Sequence, residues 1–68
     1  MGTEGKALLE GGPDELQEQI VSVDRPGDEL KLPFHNGYEH FVPTPRQAHT
    51  SEGRVPVYEW TERTEMAG

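Results

Sequence analysis

Three neighbouring side chains, Tyr38, Glu39 and His40, carry a phenol, a carboxylate and an imidazole. General acid and base catalysis uses these groups. In a strand, neighbours point to opposite faces, so Tyr38 and His40 share a face and Glu39 points away. His40 is then the candidate base and Tyr38 the candidate acid. So short a chain has little volume for a desolvated pocket, so the sequence favours Tyr38 and Phe41 as half-buried anchors, with Glu39 and His40 facing solvent or satisfying backbone groups.

The three histidines, His35, His40 and His49, raise the question of a zinc site. His35 and His40 are five residues apart, which on a strand places them on opposite faces. Only a turn at Asn36-Gly37 could bring their rings together, and the chain has no cysteine. The sequence therefore favours surface or hydrogen-bonded histidines, and we expect no metal and no cofactor.

Tyr58, Trp60 and Arg63 belong to the residue types most enriched in binding hot spots. In so small a domain a lone tryptophan is more often part of the core, and partial exposure would allow both roles. Together with the turn, these residues predict one binding surface. Its members are Asn36, Gly37, Tyr38, His40, Tyr58, Trp60 and Arg63.

The first half of the chain predicts a short edge strand, a helical turn and a hairpin. Residues 7–10 form the edge strand, which Gly11-Gly12-Pro13 ends, and residues 14–19 suit one helical turn. Residues 19–24 are rich in β-branched side chains, and residues 29–34 alternate polar and apolar. Pro26-Gly27 between them suits the centre of a type II turn, so we expect these two strands to pair.

The second half predicts two further strands. Asn36-Gly37 is a strong hairpin signal and starts a strand over residues 38–42, which Pro43-Thr44-Pro45 ends. Residues 46–54 form a long loop, and residues 55–64 the longest strand, with Tyr58 and Trp60 on its core side. The fold class is mainly β, with a small α+β fold as the alternative. We expect an antiparallel meander of about four strands with a short N-terminal strand or helical turn.

The length of 68 residues predicts one small domain with a thin core. Residues 1–6 form a disordered N-terminus, residues 7–65 a single β-rich domain, and residues 66–68 a frayed C-terminus. A single sheet layer cannot bury both of its faces within one chain, and no cysteine is present to supply disulfides. We therefore expect a homodimer in which two sheets pack.

The formal charge is −7, and it is concentrated in the first half. Residues 1–30 hold eight acids and two bases, whereas residues 31–68 hold five acids and four bases. Such a surface disfavours direct binding of nucleic acid or of anionic membranes. The sequence shows neither a membrane span nor a secretory signal, so we expect a cytoplasmic protein.

Several blocks resemble a family of short actinobacterial, Streptomyces-type proteins known as a domain of unknown function. They are Gly11-Gly12-Pro13, Lys31-Leu32-Pro33, Asn36-Gly37-Tyr38-Glu39-His40-Phe41 and the run of residues 55–64. The resemblance extends from about Leu8 to Ala67, and the Asn-Gly-Tyr-Glu-His-Phe block is its most specific part. It implies a bacterial origin and a link to specialised metabolism, and it carries over no activity or catalytic residue.

The sequence favours a non-catalytic interaction or accessory module with an unidentified protein partner. The first alternative is a very small enzyme or ligand-binding protein, with a pocket at a dimer interface and with His40 and Tyr38 as its working groups. The second is a DNA mimic that uses the acidic first half.

Overall fold

The computed structural model describes residues 5–66, and within this range the chain forms five β-strands and one short 3₁₀ turn. In chain order the elements are β1 Gly5–Glu10, the 3₁₀ turn Asp14–Leu16, β2 Ile20–Val23, β3 Leu30–Pro33, β4 Gly37–Thr50 and β5 Gly53–Glu65. The prediction of a mainly β protein is confirmed.

The five strands form one mixed sheet in the order β2-β1-β5-β4-β3. β1 and β5 are parallel neighbours, and the other three pairs are antiparallel. The sheet is therefore not a simple meander, because β1 and β5, from opposite ends of the chain, meet at its centre.

The main hydrophobic cluster lies on one face of the sheet, which we call the core face. Its buried members are Ala7, Leu9, Val23, Phe41 and Tyr58. Val23 lies on edge strand β2, and Leu30 and Leu32 of the opposite edge strand β3 pack against the same cluster. The sheet must therefore curl around this core. The curl provides a core on this face within one chain.

The predicted hairpin between β2 and β3 is wrong, because these strands lie at opposite edges of the sheet. The turn itself is as expected: Gly27 has φ +97°, and the Asp28 N–H donates to the Arg25 carbonyl at 3.1 Å. Type II geometry does not match the twist of a tight hairpin and splays the flanking strands. The segment passes over the core face from one edge strand to the other, and there the Gly27 N–H donates to the Tyr58 hydroxyl at 3.1 Å.

The prediction that β1 is an edge strand is also wrong. β1 pairs with β2 through Leu8 and Ile20, and with β5 through Leu9 and Tyr58. The predicted helical turn is present but shorter, as the 3₁₀ turn Asp14–Leu16, and Leu16 packs against the core.

The predicted loop over residues 46–54 is instead the continuation of β4 and β5. Pro43 and Pro45 do not end β4, because they lie in a register shift between Pro43 and Gln47 where pairing is interrupted. There the Thr44 hydroxyl replaces ladder bonds, donating to the Val57 carbonyl at 2.7 Å and accepting from the Arg46 N–H at 3.2 Å.

The predicted termini are only partly described. Gly5 and Lys6, expected in a disordered N-terminus, belong to β1. The rest of that segment, residues 1–4, and residues 67–68 of the predicted frayed C-terminus lie outside the described residues. Between residues 5 and 66 no helix has the length and apolar character needed to cross a membrane.

Candidate functional site

The β3–β4 hairpin turn is tight and left-handed. Phe34 and Gly37 exchange backbone hydrogen bonds of 2.9 and 3.2 Å, so His35 and Asn36 are the two central residues. Their φ angles of 48° and 64° are those of a type I′ turn. The predicted hairpin is confirmed, but Asn36-Gly37 is not its centre, since Gly37 is already the first residue of β4.

Glycine is required at position 37 because a side chain would not fit there, not because of the φ angle of the residue. A Cβ atom there would lie 2.7 Å from Arg63 Nη2 and 2.7 Å from the Thr64 carbonyl oxygen. The missing side chain lets the Arg63 guanidinium reach the turn, where it donates to the carbonyls of Phe34 at 3.1 Å and His35 at 2.6 Å. Arg63 therefore fastens the β3–β4 turn to β5.

Arg63 also joins a buried carboxylate. Glu39 is 1% exposed, and its Oε2 accepts from Arg63 Nη1 while its Oε1 accepts from the Trp60 indole N–H at 2.7 Å. Both oxygens are thus satisfied, as burial of a charge requires. We call Glu39, Trp60, Arg63 and the turn residues Phe34–Gly37 the Trp60 corner. The expectation that Glu39 faces solvent is wrong.

A bulge brings Trp60 and Arg63 to the same face. Phe41 pairs with Trp60 and Glu39 pairs with Arg63, so Thr61 is an extra residue in β5. Strict alternation would place Trp60 and Arg63, three residues apart, on opposite faces. Residues directly opposite one another in a ladder share a face, so both follow Glu39 and Phe41 to the core face.

The charge state of Glu39 follows from its partners. Burial raises the pKa of the Glu39 carboxyl, but the hydrogen bonds from Trp60 and Arg63 and the charge of Arg63 outweigh it and hold the pKa below its ordinary value. Hydrogen bonds to Glu65 and Glu39 raise the pKa of Arg63. The corner is therefore an ionised pair at neutral pH.

Trp60 lies at the rim of this cluster and is 37% exposed. Its ring passes close to the turn after β1, because a Cβ atom on Gly12 would lie 2.7 Å from Trp60 Cδ1. Gly12 also has φ +80°, which favours glycine. The indole is therefore held by Glu39 on one side and by a glycine backbone on the other, and part of it faces solvent.

The opposite face of β4 carries a second hydrogen-bonded chain. His40 is 8% exposed; its Nδ1 lies 2.9 Å from Glu29 Oε2 and its Nε2 2.8 Å from Thr64 Oγ1. Tyr38 pairs with Thr64 in the ladder, and Lys31 Nζ lies 5.0 Å from the centre of the Tyr38 ring. We call Glu29, His40 and Thr64 the His40 relay.

A third polar cluster lies at the far end of β1. Arg46 donates to both carboxylate oxygens of Glu10 and, at 2.9 Å, to Glu59. The hydrogen bond from Arg46 lowers the pKa of Glu10. All three side chains are about half exposed, so solvent screens this cluster.

An open cleft of about 390 Å³ lies where the β2–β3 connection leaves one edge and joins the other. It is lined by Ser22, Val23, Asp24, Arg25, Asp28, Glu29 and Leu30. Glu29 belongs both to this cleft and to the His40 relay. Among residues 5–66 no group of three histidine or acidic side chains is placed to hold a metal ion.

The structure divides the predicted binding surface. Trp60 and Arg63 lie in the Trp60 corner with the Asn36 turn and Gly37, whereas Tyr38 and His40 share the opposite face, as alternation predicts. Tyr58 is 2% exposed and belongs to the core. His35 and His49 are exposed and lie in the turn and in the distal part of β4.

Three functional candidates were missed by sequence reasoning: Glu39 as a buried anchor, and Glu29 and Thr64 as partners of His40. Alternation with Phe41 is a signal that places Glu39 on the core face. No local signal links Glu29 or Thr64 to His40, because Thr64 is 24 residues away and its face depends on the bulge at Thr61.

The fold and these clusters define a small, curled, five-stranded mixed-sheet domain with a braced tryptophan at its rim. The chain matches along residues 1–68 the model of a family of unknown function, DUF5988, and it belongs to that family. The resemblance to a domain of unknown function is thus confirmed, and the actinobacterial origin stays a prediction. No curated protein and no solved structure matches the chain.

Proposed function

We propose that this protein is a non-catalytic accessory module that binds a partner protein through the Trp60 corner. The observation that supports the proposal is an indole that is 37% exposed yet fixed by a hydrogen bond to a buried carboxylate. A free indole side chain loses rotamer freedom on binding, and a braced one has less to lose. The partner supplies an apolar pocket for the exposed edge of the ring.

The rest of the corner supports the same role. Arg63 is bonded to Glu39, Glu65 and two turn carbonyls, so it holds the β3–β4 turn and the indole in one rigid unit. Rigid elements hold a binding surface in place better than mobile loops. The module acts in the bacterial cytoplasm, in association with a larger biosynthetic or regulatory protein. We also propose that it forms a homodimer, which sedimentation would test.

The test is capture followed by direct binding. Immobilised wild-type protein, Trp60→Ala, Trp60→Phe and Met66→Ala are each exposed to an extract of the native host. Met66 is the matched control, because it is 45% exposed and is also a large apolar side chain. We expect a protein retained by wild type and by Met66→Ala to be lost with Trp60→Ala and weakened with Trp60→Phe.

The retained protein is then purified and titrated against the wild-type chain. Because the chain has one tryptophan, its fluorescence reports on the corner directly. A change in the Trp60 emission that saturates as the retained protein is added supports the proposal. Equal retention by wild type and Trp60→Ala, or a saturable complex without any change in emission, would overturn it. Tyr38→Ala shows whether the surface extends to the opposite face.

A further inference from the structure

The His40 relay has the order of groups found in nucleophilic hydroxyl enzymes. A carboxylate faces one nitrogen of an imidazole, and a hydroxyl faces the other, at 2.9 and 2.8 Å. Such constellations recur on unrelated folds and are recognised by geometry and roles rather than by sequence order. The three residues come from separate segments: Glu29 precedes β3, His40 lies in β4 and Thr64 in β5.

The hydrogen-bond partners match the tautomer that a general base needs. An ionised carboxylate only accepts hydrogen bonds, so in the neutral ring that fits this contact His40 Nδ1 carries the proton that Glu29 Oε2 accepts. Nε2 is then free to accept from the Thr64 hydroxyl. The imidazole is nearly buried and so held in place, whereas Thr64 is exposed and open to a reagent from solvent.

The ladders place a cation and a carboxylate beside His40 on this face. Lys31 lies directly opposite His40 in the β3–β4 ladder, and Glu62 lies opposite it in the β4–β5 ladder. Lys31 Nζ is 5.0 Å from the centre of the Tyr38 ring, and Tyr38 lies opposite Thr64. Lys31 is therefore the group on this face that would stabilise an oxyanion formed at Thr64, whereas the charge of Glu62 would oppose it.

We propose that Thr64 is a nucleophile that accepts acyl groups from activated esters or thioesters, with His40 as its base and Glu29 as a positioning residue. Thr64 Oγ1 forms a bond to the acyl carbon as its proton passes to His40 Nε2. The bond from the acyl carbon to the leaving alcohol or thiol breaks, and the leaving group takes the proton from His40. Water then attacks the acyl-threonine, gives its proton to His40, and releases the acid as the proton returns to Thr64.

This inference is independent of the proposed function, because the relay and the Trp60 corner lie on opposite faces of β4. The experiment uses p-nitrophenyl acetate with the full chain and follows both p-nitrophenolate release and the intact mass of the protein. We expect one acetyl group on the wild-type chain, located on Thr64 by fragmentation. Thr64→Val should lower the hydrolysis rate by roughly 100-fold, within the range that a general base contributes.

The matched control is Ser51→Ala, which removes an exposed hydroxyl in the turn between β4 and β5, outside the His40 relay. It should keep the wild-type rate. Thr64→Ser keeps the hydroxyl and should keep the rate even if Thr64→Val folds poorly. Glu29→Gln should lower kcat and leave KM unchanged, as expected of a residue that orients the base.

Two results would overturn the proposal. Imidazole itself can attack activated esters, so hydrolysis retained by Thr64→Val and lost in His40→Ala would assign the reaction to His40 alone. A wild-type rate equal to that of Thr64→Val, with no acetyl group on the chain, would assign the relay a purely structural role.

Discussion

The Trp60 indole N–H donates to the carboxylate of Glu39 at 2.7 Å, although the two residues are 21 positions apart and one is buried while the other reaches solvent. This hydrogen bond connects the charge buried on the core face to an indole that is partly exposed to solvent. A change at Glu39 should therefore be detected at Trp60, and the fluorescence of the single tryptophan makes this measurable.

We expect Glu39→Gln to destabilise the protein and to alter the tryptophan emission. The amide can still accept from Trp60, but it removes the negative charge that faces Arg63. Leaving a buried polar group poorly paired costs about 1–3 kcal/mol. Urea denaturation followed by fluorescence measures the loss. Glu62→Gln, an exposed change on β5, serves as the control and should stay within about 0.5 kcal/mol of wild type.

We expect stability to fall in acid, below about pH 4.5, the ordinary value for a glutamate carboxyl. The pKa values of Glu10 and Glu39 are lowered in the folded protein, so the unfolded chain binds more protons as the pH falls. The stability that these two carboxylates contribute is complete at pH values above their pKa in the unfolded chain. It is lost as the pH falls through their lower pKa values in the folded protein. Denaturation midpoints measured from about pH 2 to about pH 7 give the profile.

The same profile separates the two carboxyls. Glu39→Gln should make the fall of stability with decreasing pH less steep at both low and high salt, because burial shields the Glu39–Arg63 pair from screening by salt. Glu10→Gln should make it shallower mainly at low salt, since its pair with Arg46 is exposed. An unchanged slope in Glu39→Gln would contradict the role given to its partners.

We expect Gly12→Ala to destabilise the protein more than Gly53→Ala. Both glycines have positive φ, +80° and +98°, so both substitutions carry a backbone cost of about 1 kcal/mol. At Gly53 a Cβ atom meets nothing within 4 Å, whereas at Gly12 it would lie 2.7 Å from the Trp60 ring. The difference between the two unfolding free energies isolates the contact with Trp60. Equal losses, with unchanged emission, would show that Gly12 does not brace the ring.

Local rules predicted the strands and turns well but not their partners. Alternation and β-branched residues gave β2 and β3, and the turn at Pro26-Gly27 has the expected type. Which strands pair depends on contacts distant in sequence, such as that between Leu9 and Tyr58, and no local pattern encodes them. The type II geometry of the turn was the one local sign against a tight β2–β3 hairpin.

The candidate sites depend on a single bulge. With strict alternation, Trp60 and Thr64 share a face of β5 and Arg63 points away from both. The extra residue Thr61 reverses this, so that Arg63 joins Trp60 and Thr64 moves to the side of His40. A bulge has no reliable sequence signature, so neither the contact of Arg63 with the Trp60 side of the sheet nor that of Thr64 with His40 could be predicted.

We expect Tyr58→Phe to loosen the segment that passes over the core face between β2 and β3. The Tyr58 hydroxyl accepts from the Gly27 N–H at 3.1 Å, and the substitution removes that acceptor while keeping the ring. The loss of one such hydrogen bond costs about 0.5–1.5 kcal/mol. Hydrogen exchange of the Gly27 amide should become faster than in wild type. Exchange of core amides such as that of Leu9 should accelerate only by the amount that the loss in the free energy of unfolding predicts. Tyr38→Phe, a matched change on the opposite face, should leave Gly27 exchange unaltered, and faster exchange there in both variants would point to general destabilisation rather than to a lost tether.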